Sequence, residues 1–356
     1  MLTEDPYPIR FWDAPDSTQI GESIEEFLEQ FDGPTWIYIP GHDPGRCRVV
    51  STLLHGNEPS GLHAIHQWLL SDDVPATDIY CFIGAPVTAQ QQPYFHYRML
   101  PGHRDLNRCF RPPFNDDEGQ VAADLLHRLC AVQPEAVIDI HNTSGAGPSF
   151  AIATNANDAH RAVAALFTTR LIITDIRLGA LMEFDSEPFT VTTIECGGAH
   201  DPKANSLACE GFERFVKTEN LFDPGQFIEM DFYQSPVRVE LSPDHKLTFS
   251  YEPKAGFDLI LRNDIERYNF NPVTIGTELG WLGPAQMACL IARDAHGNEH
   301  TRHFFETKNG KLVARQNIKL FMVTTNYEIA CSDCLFYVVT IDEPGHFEHL
   351  DTPPPS

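Results

Sequence analysis

Arg48-Val49-Val50-Ser51-Thr52-Leu53-Leu54-His55-Gly56-Asn57-Glu58 is the stretch on which the fold turns. Its first seven residues are mostly apolar and partly β-branched, without a polar alternation, as expected of a strand buried on both faces. The run stops at His55, and the pattern from Ser60 to Leu70 is helical. A buried strand feeding a helix is the unit of an α/β sheet, and such sheets bind ligands beyond the carboxyl ends of their strands. Outward from this junction the alternation continues. Strands are expected over Ile79–Val87, Ala136–His141, Phe150–Thr154 and Thr190–Cys196, and helices over Glu118–Cys130, Asp158–Phe167 and Asn205–Asn220. Upstream, Ile20, Ile24, Phe27, Leu28 and Phe31 mark one amphipathic helix over Ser17–Phe31. The fold class is therefore α/β, with a mixed, mostly parallel sheet flanked by helices.

After Asp223 the pattern changes to short apolar runs separated by Gly, Pro, Asn and Asp, among them Val237–Leu241, Lys246–Tyr251, Met287–Ala292 and Leu335–Ile341. These predict a smaller β-rich C-terminal domain. The division is 1–225 for the catalytic domain, 226–350 for the β-rich domain and 351–356 for a Pro-rich, disordered tail.

The 25 Lys and Arg stand against 50 Asp and Glu, a formal charge of −25. Such a surface repels nucleic acid and anionic membranes, so neither is an expected partner. No apolar run is long enough to span a bilayer. The first 16 residues lack the basic-then-apolar layout of a secretory signal, and nine scattered cysteines fit a reducing compartment. A cytoplasmic location is expected. Homo-oligomerisation stays open.

His55 and Glu58 lie three residues apart, so one tight turn aims both at a common point. A second strand, Val137-Ile138-Asp139-Ile140, ends in His141. Two imidazoles and one carboxylate make a catalytic zinc set that leaves a fourth position for water, and one zinc per chain is expected. Asp139 precedes His141 by two residues on the same side of the strand, where a carboxylate orients a ligand imidazole. Glu195 closes a third apolar strand, which brings it toward the same rim.

Four ordered motifs carry a resemblance: His55-Gly56-Asn57-Glu58, Asp105-Leu106-Asn107-Arg108, Asp139-Ile140-His141-Asn142-Thr143 and Ile194-Glu195-Cys196-Gly197-Gly198. Together they resemble the succinylglutamate desuccinylase/aspartoacylase family, a branch of the zinc-carboxypeptidase-like fold, over about residues 48–220. The resemblance implies a zinc-dependent amidohydrolase acting on a small, carboxylate-bearing N-acyl amino acid by metal-activated water. It implies Glu195 as general base and acid, and Asn107 with Arg108 as the clamp on the substrate carboxylate. It also implies an Arg that stabilises the oxyanion, for which Arg98 and Arg104 compete; Arg98 is favoured if the loop carries a short insertion.

Two positions depart from the family. The Arg that often precedes the catalytic Glu falls near Asp185, and residues 178–186 contain no Arg. Weak activity on N-succinylglutamate is expected. The usual Asn-Pro after the second strand is Ala85-Pro86. Besides the deacylase, two other readings stand: a metallocarboxypeptidase acting on short peptides, and a non-catalytic metal-binding module. The second His-Gly-Asn-Glu, at His296–Glu299, is expected to be a hairpin turn.

Overall fold

The structure is a computed structural model that describes residues 8–71, 73–184, 189–223 and 229–341. Asp185 and the tail 351–356 lie outside the described residues. Two compact units emerge. The first takes the described residues of Met1–Thr143, Ser149–Leu171 and Arg177–Glu229. The second takes Ser144–Pro148, Ile172–Ile176 and those from Met230 onward. No helix among the described residues is long and apolar enough to cross a membrane.

The first unit begins with β1 (Arg10–Asp13), α1 (Ser17–Ile20), α2 (Ile24–Leu28) and β2 (Thr35–Ile39). The expected single helix over 17–31 is thus two short ones. Gly21 adopts φ +74°, and a Cβ there would stand 2.5 Å from Glu26 Cβ. Asp16 with Gln19, then Ser23 with Glu26, form two separate capping boxes, each a local signal to start a helix. There follow β3 (Asp43–Thr52), α3 (Ser60–Leu69), β4 (Thr77–Ile83), α4 (Pro86–Ala89), α5 (Asp117–Val132) and β5 (Ala136–Thr143). Then come β6 (Phe150–Ala153), α6 (Asp158–Ala165), β7 (Arg170–Ile173), β8 (Thr190–Gly198) and α7 (Pro202–Lys217). The strand expected to reach Val87 stops at Ile83, because the chain turns and Pro86 opens α4.

Through this unit the sheet runs β1-β2-β4-β3-β5-β8-β6-β7. The four central strands are mutually parallel, and β2 and β6 run antiparallel to their inner neighbours. The sheet is mixed and mostly parallel at its centre, as the alternation implied. Val49, Val137, Val191 and Phe82 share a core with Val121, Leu125 and Leu129 of α5. On the opposite face, α3 presses so closely that a Cβ at Gly61 would lie 2.1 Å from Thr52 Oγ1 and 3.0 Å from Ile140 Cβ. Burial on both faces explains why β5, β8 and the second half of β3 show no alternation of buried and exposed residues; the threonines of β8 are buried along with Val191 and Ile194.

The second unit carries two five-stranded sheets, one containing Val237–Leu241 and Phe336–Thr340, the other Leu247–Ser250 and Leu259–Arg262. Its core gathers Val239, Leu259, Leu279, Phe305, Leu320 and Phe336. At the second His-Gly-Asn-Glu, Gly297 has φ +81° and Arg293 bridges Glu299 antiparallel, as a hairpin turn requires.

Candidate metal centre

The ends of β3, β5 and β8 bring the three buried groups together. After Thr52 the chain leaves the sheet through Leu53 at φ +55°, and Glu58 N–H donates to His55 O at 3.2 Å, closing a turn. Gly56 is obligatory in that turn. A Cβ there would lie 2.6 Å from Thr88 Cγ2, 2.8 Å from Tyr97 O and 2.9 Å from Ala89 N. Gly56 N–H donates to Arg98 O at 2.9 Å, so the absence of a side chain lets the Arg98 segment lie against the turn.

His55, Glu58 and His141 each offer one ligand atom, and these atoms lie within 4.8 Å of one another. All three side chains are almost wholly buried. His55 Nδ1 faces Glu58 Oε1 at 2.9 Å, and His141 Nδ1 faces Glu58 Oε2 at 2.7 Å. The far nitrogen of each ring is held by a carboxylate. His55 Nε2 lies 2.8 Å from Asp105 Oδ1, and His141 Nε2 lies 2.7 Å from Asp139 Oδ2. A carboxylate on Nε2 favours the tautomer protonated there, which leaves both Nδ1 lone pairs turned toward the common point. Asp139 sits where the strand period places it. Asp105 arrives from a loop 50 residues beyond His55, and no local spacing announces that it orients this ring.

The donor set fits zinc. It combines two imidazoles with a carboxylate, and each ring is oriented from behind by a second carboxylate. Glu195 adds a second fitting observation. It is the register partner of His141 across β5 and β8, and its buried Oε2 has no hydrogen-bond partner among the described residues. Burial pushes the Glu195 carboxyl above its ordinary range. Burial pushes Glu58 the same way, but His55 and His141 outweigh it and hold that carboxyl low.

The other predicted residues divide. Arg98 is brought in: its Nη2 donates to Asp105 Oδ2 at 2.8 Å, and its Nη1 lies 3.4 Å from Glu58 Oε1. Asn107 is buried, with its Nδ2 3.4 Å from His141 Nε2 and its Oδ1 accepting from Leu181 N–H at 3.0 Å. Arg108 follows on the same short 3-10 turn and donates from Nη1 to Asn107 O at 2.9 Å. Arg104 is not gathered with them. Its guanidinium makes two 2.5 Å bonds to Asp116, the exposed N-cap of α5. Of the two competing arginines, only Arg98 touches the cluster. Asp105 bonds both His55 and Arg98 and so links this guanidinium to the ligand imidazole.

Residues 44–210 match the family model described as the succinylglutamate desuccinylase/aspartoacylase catalytic domain. Among solved structures, the succinylglutamate desuccinylase from Vibrio cholerae is 14% identical at a TM-score of 0.57, covering 93% of this chain and 98% of its own. The succinylglutamate desuccinylase/aspartoacylase from Rhodobacter sphaeroides is 15% identical at a TM-score of 0.52, with 82% of each chain covered. The succinylglutamate desuccinylase from Vibrio parahaemolyticus is 12% identical at a TM-score of 0.53, covering 90% of this chain and 95% of its own. At these identities the likeness speaks for the fold. No curated protein matches the chain. The four motifs all fall inside residues 44–210, the stretch that is similar to the succinylglutamate desuccinylase/aspartoacylase catalytic domain.

Proposed function

We propose that this chain is a zinc-dependent deacylase that hydrolyses the amide bond of a small, carboxylate-bearing N-acyl amino acid. One zinc per chain would be held by His55, Glu58 and His141. The observation that carries this reading is the convergence of those three side chains, each imidazole backed by a carboxylate, beside the buried Glu195. The family's N-acyl amino acid deacylase activity supports the same substrate class.

The chemistry supplied by a zinc held there would be Lewis acidity, toward water and toward the scissile carbonyl. Glu195 takes the proton from the attacking water and passes it to the leaving amine. One carboxylate serves both transfers because they occur in sequence. Its burial suits this, since a carboxyl raised above its ordinary range both accepts and returns a proton near neutral pH. Arg98 places positive charge beside Glu58, where it would stabilise the oxyanion. Asn107 and Arg108, one after the other on a turn anchored by Asp105, would grip the substrate carboxylate. With 50 acidic residues against 25 basic ones, that local pair opposes the field of the surface and would select for an anion.

The test joins metal analysis to a screen of N-acyl amino acids against short peptides. The expected result is about one zinc per chain, turnover of at least one N-acyl amino acid, and loss of about 10²–10⁴-fold in kcat for Glu195→Gln with zinc retained. An unchanged rate in that variant would remove Glu195 from the chemistry. Preference for peptides would replace the deacylase by a carboxypeptidase.

A further inference from the structure

The side chains on the reverse of the metal-bearing strand tip form a closed, buried network. The pleat of β5 turns Asp139 and His141 to one face and Asn142 to the other. On that other face Asn142 Oδ1 accepts from Ser60 N–H at 3.0 Å. Its Nδ2 donates to Ser60 Oγ at 2.8 Å and to Gly197 O at 3.1 Å. The Ser60 hydroxyl in turn donates to Asn205 Oδ1 of α7 at 2.7 Å. Asn142 and Ser60 are buried, and both amide atoms of Asn142 are used.

The connected points matter more than the bonds themselves. Ser60 begins α3 two residues after Glu58. Gly197 lies two residues after Glu195, at φ +111°, where β8 ends and the chain starts to turn. Asn142 follows His141, and its own N–H lies 3.3 Å from Glu58 Oε2. One amide therefore spans the turn that carries Glu58, the strand that carries His141 and the turn that carries Glu195. Nothing else among the described residues makes side-chain bonds to both Ser60 and Gly197. A carboxamide suits this position because it is donor and acceptor at once. Aspartate keeps the acceptor for Ser60 N–H but loses both Nδ2 donations.

We propose that Asn142 is a positioning residue that fixes Glu195 relative to the metal ligands from behind the sheet. The proposal rests on the zinc deacylase reading for its catalytic half, while its metal half stands on the ligand geometry alone. It touches neither the substrate nor the ion. Losing it lets the Gly197 turn and the Ser60 turn move independently, so both zinc retention and proton transfer suffer while substrate capture does not.

The experiment uses the full chain with Asn142→Ala and Asn142→Asp, and with Ser60→Ala as the milder partner. Zinc affinity is measured by chelator competition with the metal alone, kcat and KM on the best N-acyl amino acid found for the wild type, and folding by thermal melting. The expected result for Asn142→Asp is zinc affinity weakened about 10-fold or more and kcat lowered at least about 10-fold, with KM within about 3-fold. Ser60→Ala, which removes the hydroxyl's two bonds, from Asn142 and to Asn205, and leaves the Ser60 N–H and Gly197 bonds to Asn142 in place, should show a smaller loss in the same two quantities. If Asn142→Ala does not fold, Asn142→Asp and Ser60→Ala decide. A folded Asn142→Asp with wild-type zinc affinity and wild-type kcat would overturn the proposal. A fall in KM-dependent capture alone would overturn it too. If the wild type turns over no N-acyl amino acid, the deacylase reading fails on its own, and the zinc affinities still decide the positioning role.

Discussion

Gly56→Ala offers the sharpest test of how the metal turn is built, because the added atom approaches neither the ion nor the substrate. The new Cβ would sit 2.6 Å from Thr88 Cγ2, 2.8 Å from Tyr97 O and 2.9 Å from Ala89 N. Two of these three are backbone atoms, which cannot rotate away. Restoring ordinary contact at ~3.5 Å requires the Tyr97–Arg98 segment or the Thr88–Ala89 turn to retreat by about 0.6–0.9 Å. Overpacking of this kind costs about 1–3 kcal/mol. The retreat also lengthens the Gly56 N–H to Arg98 O bond, now 2.9 Å, and draws Arg98 from Asp105 and Glu58. The substitution is therefore expected to lower unfolding free energy by about 1–3 kcal/mol in urea. Zinc affinity by chelator competition should weaken as well, since Asp105 is then less firmly placed behind His55. Gly33→Ala is the control: nothing lies within 4 Å of its Cβ, so a change within about 0.5 kcal/mol is expected. A Gly56→Ala protein with the stability and zinc affinity of the wild type would refute the idea that close backbone approach fixes this turn.

Two further outcomes are expected. Asp139→Asn and Asp105→Asn each remove a carboxylate from behind one imidazole, and zinc affinity should fall about 10–100-fold in each, read by chelator competition; retention of full affinity in both would deny the orienting role. Arg98→Ala should lower kcat/KM far more than Arg104→Ala, since Arg98 contacts Glu58 and Asp105 while Arg104 is spent on exposed Asp116; equal losses would return Arg104 to the site.

Much of this site was legible because its chemistry lies at strand ends. The apolar runs before His55, His141 and Glu195 revealed three buried strands, and parallel strands finish on one rim. The period of two along a strand was enough to place Asp139 behind His141. What stayed hidden depended on pairs with no shared local pattern. Asp105 reaches His55 from a loop, and the choice between Arg98 and Arg104 was decided by backbone packing against Gly56. The Asn142 network joins three segments through a single amide, which no spacing rule detects. In the fold, hydrophobic periodicity continues through 17–31, but Gly21 and two capping boxes divide the segment into two short helices. The strands Arg10–Asp13, Thr35–Ile39 and Arg170–Ile173 were not expected from the sequence. Two short stretches, Ser144–Pro148 and Ile172–Ile176, group with the second unit although they precede residue 226, which a linear composition shift cannot reveal.

The pairing of His141 with Glu195 across neighbouring parallel strands sets a rigid gauge. Main-chain ladder bonds set the backbone separation from which the imidazole and the carboxylate project, at the ~4.8 Å interval common to every sheet. Loop changes elsewhere can reshape what enters the cleft without altering that interval. Sliding β8 by one residue would swing Glu195 to the opposite face of the sheet and bring Ile194 or Cys196 opposite His141, depending on the direction of the slip. The spacing of His141 and Glu195 is thus inherited from the register, and a library that varies the loops while leaving β5 and β8 alone should keep those two residues aligned.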